Sequence, residues 1–213
     1  ADASVRALVL TAQPNQPRPV FSAGYHLGAF RDDGETGPMP FERVPDVLAS
    51  ARPLTLCAMP GSVYGGATDL ALACDFRLGV EGMALRMPAG ALGLHYYPSG
   101  MRRYVARLGL GVARRLFLLA ETVSDRDLLA MGFLDKLLPA AELGPAVEHW
   151  CAQVQALGPL AVQGMKQTLN EIALGWDQPA LWREREATTK ASADFAEGRA
   201  AFAERRVPRF EGR

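Results

Sequence analysis

The chain has 213 residues, 49% of them hydrophobic and 22% charged, which is the balance of a globular protein rather than a disordered one. Its 23 basic and 23 acidic residues cancel, so the overall charge gives no reason to expect a nucleic acid or an anionic membrane as partner. Three cysteines, Cys57, Cys74 and Cys151, are odd in number and far apart, which suits a reducing compartment better than a disulfide scaffold.

No run is long and apolar enough to span a bilayer, and the first residues lack the basic-then-apolar pattern of a signal peptide. A soluble, cytoplasmic protein is therefore expected. In chain order, "VRALVLTA" (5–12) predicts a buried strand. The prolines of "QPNQPRP" (13–19) predict a loop, and "RDDGETGPMP" (31–40), polar and rich in glycine and proline, predicts a mobile one. "LTLCAMPG" (54–61) predicts a second strand, residues 66–74 a buried helix, and "DFRLGV" (75–80) a third strand. Such alternation argues for an α/β core.

Beyond about residue 100 the pattern turns helical. Ser124 with Asp127 reads as a capping box and Gly132 as a helix stop. Two amphipathic helices follow, with Pro145 and Pro159 near their starts. The charged stretch from Leu181 to Arg206 is helical by propensity. The expected organisation is a mixed core over 1–118 and a helical region over 119–213, with no internal repeat.

Gly65 and Gly66, in "SVYGGATDLALACD" (62–75), run directly into the predicted buried helix although glycine disfavours helix. A helix start leaves backbone N–H groups unpaired and carries a partial positive charge. Stripped of side chains, it can receive a ligand oxygen that gains negative charge during reaction. Alternatively, the glycines only let strand and helix pack closely; the spacing leaves both open.

With "FSAG" (21–24), this stretch resembles the crotonase (enoyl-CoA hydratase/isomerase) superfamily. The resemblance runs on through "MPAGALGL" (87–94), "GMRRYVARLG" (100–109), "LAETVSDRDLLAMGFLDKLLPAAEL" (119–143), "PLAVQGMKQTLNE" (159–171) and "FAEGRAAFAERRVPRFEG" (195–212). It implies an α/β fold with a spiral ββα core and a helical C-terminal region that assembles as a homotrimer or hexamer. It implies an acyl-CoA substrate in fatty acid metabolism and no separate cofactor, because coenzyme A is part of the substrate. The backbone N–H groups of Tyr25 and Gly66 would hold the thioester oxygen as an enolate forms. Ala23, Tyr25, Leu27 and Gly65 would contact the coenzyme.

The chain also departs from that family. Full-length relatives carry a strand, a turn and a helix ahead of "VRALVL", so the chain is expected to be a fragment or a short member. Hydratases of the family use two glutamates; here the first position is Asp69, one methylene shorter, and the second is Ala89. "LHYYPSG" (94–100) places tyrosines where hydratases have small residues and proline. Tyr96 matches a functional tyrosine of methylmalonyl-CoA decarboxylases, which share a stretch like "GSVYGGA" and lack the second glutamate. Alternatives are thus a decarboxylase of malonyl-type CoA, or a non-catalytic acyl-CoA binder. Tyr96 and Tyr97 could equally line an acyl pocket. His95 is a candidate proton donor, His26 a loop anchor and His149 a packing or surface residue. The histidines are far apart and no Cys/His cluster has metal spacing, so no metal is expected. Arg102, Arg103, Arg107, Arg114 and Arg115 read as a solvated or interface face, with CoA phosphates as the other use.

Overall fold

The computed structural model describes residues 2, 4–13, 19–26 and 40–213. The elements in order are β1 (Ala7–Thr11), β2 (Val20–Ser22), α1 (Arg43–Ala49), β3 (Leu54–Met59), β4 (Ser62–Tyr64), α2 (Gly66–Ala73), β5 (Phe76–Val80) and β6 (Ala84–Arg86). After them come α3 (Pro98–Leu118), β7 (Thr122–Ser124), α4 (Asp125–Ala130), β8 (Lys136–Leu138), α5 (Leu143–Gln155), α6 (Pro159–Ala173), α7 (Pro179–Lys190) and α8 (Ala193–Glu204). The loop expected over 31–40 lies outside the described residues, apart from Pro40.

Two sheets form, in the orders β1-β3-β5-β8 and β2-β4-β6-β7. The consecutive pairs β1/β2, β3/β4 and β5/β6 each give one strand to each sheet, with α1 and α2 set between successive pairs. The chain thus winds as a spiral of strand–strand–helix turns. Strand β3 runs parallel to β5, with Leu56 opposite Phe76, and β2, β4 and β6 are parallel neighbours. Every residue of β3 is buried, as a parallel strand covered on both faces must be. The loop into β4 is equally tight: a Cβ on Gly61 would lie 2.0 Å from the Pro19 carbonyl oxygen.

Strand β1 corrects an expectation. Predicted as buried, it ends the order of its sheet, and Leu8 and Val9 are each 42% exposed. Strands β7 and β8 were not anticipated, because a three-residue strand shows no readable alternation. Gly109, at φ 78° and ψ 160°, breaks α3 into two segments. Ser124 caps α4 as its spacing predicts, accepting from the Asp127 N–H at 3.3 Å. From Leu143 onward the regular elements are helices. The long charged stretch is two of them, α7 and α8, with Ser192 capping the second through the Phe195 N–H at 3.1 Å.

By contacts the chain divides into two compact units. One comprises Val9–Ala51 and Thr55–Val147; it holds α1 to α4 and most of both sheets. The other comprises Ala1–Leu8, Arg52–Leu54 and Glu148–Arg213. In the latter, Glu171 receives Trp182 Nε1 at 2.8 Å and both terminal nitrogens of Arg185, tying α6 to α7. No helix among the described residues is long and apolar enough to cross a membrane.

Candidate functional site

The parallel neighbours β2 and β4 end side by side, with Ser22 in register with Val63, so the residues leaving them meet. They meet through main chain. Gly24 has φ +91°, and a Cβ on it would lie 2.7 Å from the Tyr64 carbonyl oxygen. Gly65 has φ +55°, and a Cβ there would sit 3.7 Å from the Gly24 Cα. Both glycines adopt backbone that side-chain-bearing residues rarely do. This answers what the paired glycines are for locally. Gly65, its N–H given to the Arg86 carbonyl at 2.9 Å, turns the chain through a positive-φ conformation (φ 55°, ψ −135°), and Gly66 opens α2. The Gly66 N–H therefore belongs to the first turn of a helix, where donors lack intrahelical partners and the dipole is positive. A Cβ on Gly66 would lie 2.8 Å from Cε1 of Phe41, so the Phe41 ring rests on that residue. Phe41 meets the rings of Tyr25 and Tyr97 edge-on, at 6.0 and 6.2 Å between centroids.

Asp69 stands three residues after Gly66 and is fully buried. Its Oδ1 and Oδ2 receive Arg103 Nη1 at 2.9 and 2.8 Å, and Oδ2 also receives the Tyr97 hydroxyl at 2.6 Å. The other terminal nitrogen of Arg103 reaches Asp46 on α1 at 2.5 Å. One guanidinium thus ties α1, α2 and α3 together. Burial pushes the Asp69 carboxyl above its ordinary range, against the opposing pull of Arg103 and the Tyr97 hydroxyl. Burial alone would depress Arg103, but Asp69 and then Asp46 leave it raised. The Tyr97 and Tyr96 hydroxyls are both pushed up, by burial first and by the Asp69 charge second. Tyr96 stacks on Tyr97 with centroids 4.1 Å apart and donates to its hydroxyl at 2.9 Å. Behind them Phe117 packs against Tyr96 and Tyr104, and the Tyr104 hydroxyl pairs with Thr68.

The structure brings Tyr25, Gly65 and Gly66 into one cluster and joins Asp69 and Tyr96 to it through Tyr97 and Phe41. His95 and Ala23 are exposed, and Leu27 lies outside the described residues. Ala89 is buried at the start of the 3-10 turn Gly90–Leu92. Of the arginine series, Arg102, Arg114 and Arg115 are exposed as a solvated face requires. Arg103 is not: it is buried in the site. Arg107 donates to the Cys74 carbonyl at 2.9 Å, and burial, with Arg77 nearby, pushes it down to about 10. Sequence reasoning missed Arg103, Asp46 and Phe41 as members of the site. Nothing local links Asp46 to a guanidinium 57 residues away. The fold also packs Gly100 into this cluster, where a Cβ would lie 2.6 Å from Tyr96 and Tyr97 and 3.0 Å from Asp69.

A family model described as enoyl-CoA hydratase/isomerase matches residues 1–213. The chain is 31% identical over 215 residues to a Mycobacterium bovis protein named as an enoyl-CoA hydratase, echA6, covering 99% of this chain and 83% of that protein. It is 25% identical to a carnitinyl-CoA dehydratase of Salmonella typhi, over 100% of this chain and 84% of that one. Among solved structures, an enoyl-CoA hydratase/isomerase family protein from Hyphomonas neptunium superposes with a TM-score of 0.88 at 22% identity, covering 100% of this chain and 82% of that chain. Pseudomonas aeruginosa DspI gives a TM-score of 0.82 at 28% identity, over 99% and 81% of the two chains. The two-sheet spiral and the helices after it are the fold of these structures.

Proposed function

Because the chain belongs to the enoyl-CoA hydratase/isomerase family, we propose that it acts on an acyl-CoA thioester by stabilising an enolate between the backbone N–H groups of Tyr25 and Gly66. The observation that supports this reading is the close main-chain approach of Gly24 to Tyr64 and Gly65, the immediate neighbours of Tyr25 and Gly66. A pair of backbone N–H groups, one of them at the positive end of a helix, suits an oxygen that becomes an anion. Ala23, Tyr25 and Gly65 are the described positions through which the coenzyme would be held. No separate cofactor enters the chemistry. The protein is proposed to work in the cytoplasm as a homotrimer or hexamer, for which exposed Trp176, Phe195 and Phe202 supply apolar surface.

Hydration requires a group to activate water and a group to protonate the α-carbon. Ala89 can do neither, and Asp69 is held by Arg103 and Tyr97, which favours an enolate reaction that needs less acid–base equipment over fast hydration. The same two observations favour, as a second reading, a protein that binds acyl-CoA without turning it over. The test is turnover of crotonyl-CoA, followed by loss of the conjugated thioester absorbance, with carbon dioxide release from methylmalonyl-CoA measured alongside for the decarboxylase alternative. Gly66→Pro removes the N–H at a helix position that tolerates proline, and Gly66→Ala keeps it. Relative to the alanine variant, the proline variant is expected to lose about 10²–10³ in kcat. Equal rates would refute the oxyanion assignment. Binding without turnover of any thioester would establish the second reading.

A further inference from the structure

An ionised carboxylate only accepts hydrogen bonds, and a phenol has one proton. Asp69 is ion-paired to Arg103, so the proton in its 2.6 Å contact with Tyr97 is the tyrosine's. With that proton committed, the 2.9 Å contact between the two hydroxyls must use the proton of Tyr96. Both phenolic protons therefore point along the chain Tyr96 to Tyr97 to Asp69. What Tyr97, half-buried and edge-on to the Phe41 ring that rests on Gly66, retains for a ligand is a lone pair. Asp69, which holds this acceptor, lies one helical turn from Gly66. The charges behind it, Asp46, Asp69 and Arg103, are two carboxylates to one guanidinium.

Taking the acyl-CoA reading as its basis, we propose that Tyr97 determines acyl-group specificity. Fixed as an acceptor by Asp69, its hydroxyl favours an acyl chain that carries a hydrogen-bond donor, a hydroxyl, and rejects one that carries a carboxylate. A chain hydroxyl donates to the free lone pair of Tyr97. A carboxylate meets only lone pairs, with a net negative cluster behind them, and loses water without gaining a donor. The tyrosine pair therefore disfavours malonyl-type thioesters, the substrates on which a decarboxylase reading depends.

The experiment is calorimetric titration of the purified protein with butyryl-CoA, 3-hydroxybutyryl-CoA and malonyl-CoA. One neutral hydrogen bond corresponds to about fivefold in affinity, so 3-hydroxybutyryl-CoA is expected to bind about fivefold tighter than butyryl-CoA. Malonyl-CoA is expected to bind about tenfold or more weaker than butyryl-CoA, the penalty of a charged group left without a donor. In Tyr97→Phe the hydroxyl preference should fall to near one, whatever common change in affinity the variant brings. In Asp69→Asn the new amide can donate to Tyr97 and release the phenolic proton toward the ligand, so malonyl-CoA should gain relative to butyryl-CoA. A hydroxyl preference that survives Tyr97→Phe, or malonyl-CoA binding as well as butyryl-CoA to the unaltered protein, overturns the proposal while leaving the acyl-CoA reading intact. Failure of all three thioesters to bind overturns that reading, and the proposal with it. The measurements on the unaltered protein decide the matter even if either variant does not fold.

Discussion

Arg103→Met should destabilise the protein strongly, and in a pH-dependent way. Arg103 is buried between Asp69, which is fully buried, and Asp46, which is partly exposed. Methionine keeps the straight stem but leaves the Asp69 charge with the Tyr97 hydroxyl as its remaining side-chain donor. Breaking a buried pair by removing one partner costs about 3–5 kcal/mol, because the other charge stays buried without compensation. For a chain of this size each kcal/mol moves Tm by about 2–4 °C, so a fall of about 10 °C is expected near pH 7. Burial already holds the Asp69 carboxyl above its usual range against the pull of Arg103, and loss of the guanidinium raises it further. A carboxyl with a higher pKa folded than unfolded binds its proton better in the folded state. The deficit is therefore absent below the unfolded value near 4 and grows as pH rises through the folded value. Thermal and urea unfolding at several pH values, on the unaltered protein, Arg103→Met and Arg103→Met/Asp69→Asn, measure all of this. The double variant, with no buried charge at residue 69, should recover more than half of the loss at pH 7. A deficit below about 1 kcal/mol, a deficit independent of pH, or no recovery from Asp69→Asn would refute the reasoning.

Other outcomes follow from single positions. Ala89→Glu should raise crotonyl-CoA hydration by about tenfold or more, since a positioned acid or base typically contributes 10²–10⁴-fold; an unchanged rate would show that the missing acid is not what limits hydration. Gly61→Ala puts a Cβ 2.0 Å from the Pro19 carbonyl, so β2 or β4 must shift, and a loss of about 3 kcal/mol or more is expected in urea unfolding. Wild-type stability in that variant would mean the strand ends are not held this tightly. Ser192→Ala removes the acceptor for the Phe195 N–H and should cost about 1 kcal/mol in the same assay. Light scattering should give the mass of a trimer or hexamer, given Phe202 at 88% exposure, whereas a concentration-independent monomer would overturn that assembly.

Much of the fold was legible because its signals are local. The β3 run, the buried helix after paired glycines and the Ser124 cap each lie within a few residues and appear where the sequence places them. The exposure of β1 was not legible, since a leucine- and valine-rich run reads alike at the centre and the edge of a sheet. Gly65 and Gly66 could be found from sequence because two glycines running straight into an apolar helix stand out locally. Asp46 and Arg103 could not, because a salt bridge between α1 and α3 leaves no trace in spacing. For the same reason, five arginines within fourteen positions looked alike, although the fold buries Arg103 and exposes Arg102 beside it.

The candidate cradle is made of main chain, and that shapes how the protein can change over generations. The proposed donors are peptide N–H groups, which every residue except proline supplies, so drift in neighbouring side chains would not delete them. Intolerance should concentrate at Gly24 and Gly61, where any Cβ strikes a carbonyl oxygen, and at Gly65, held at positive φ. Positions such as Ala89 and Tyr97 face no such restriction on backbone. Lineages could therefore exchange acids, phenols and apolar groups around a frame that stays put. A deep substitution scan would read as sharp glycine vetoes set in a permissive neighbourhood, with new reactivity arising from the permissive part.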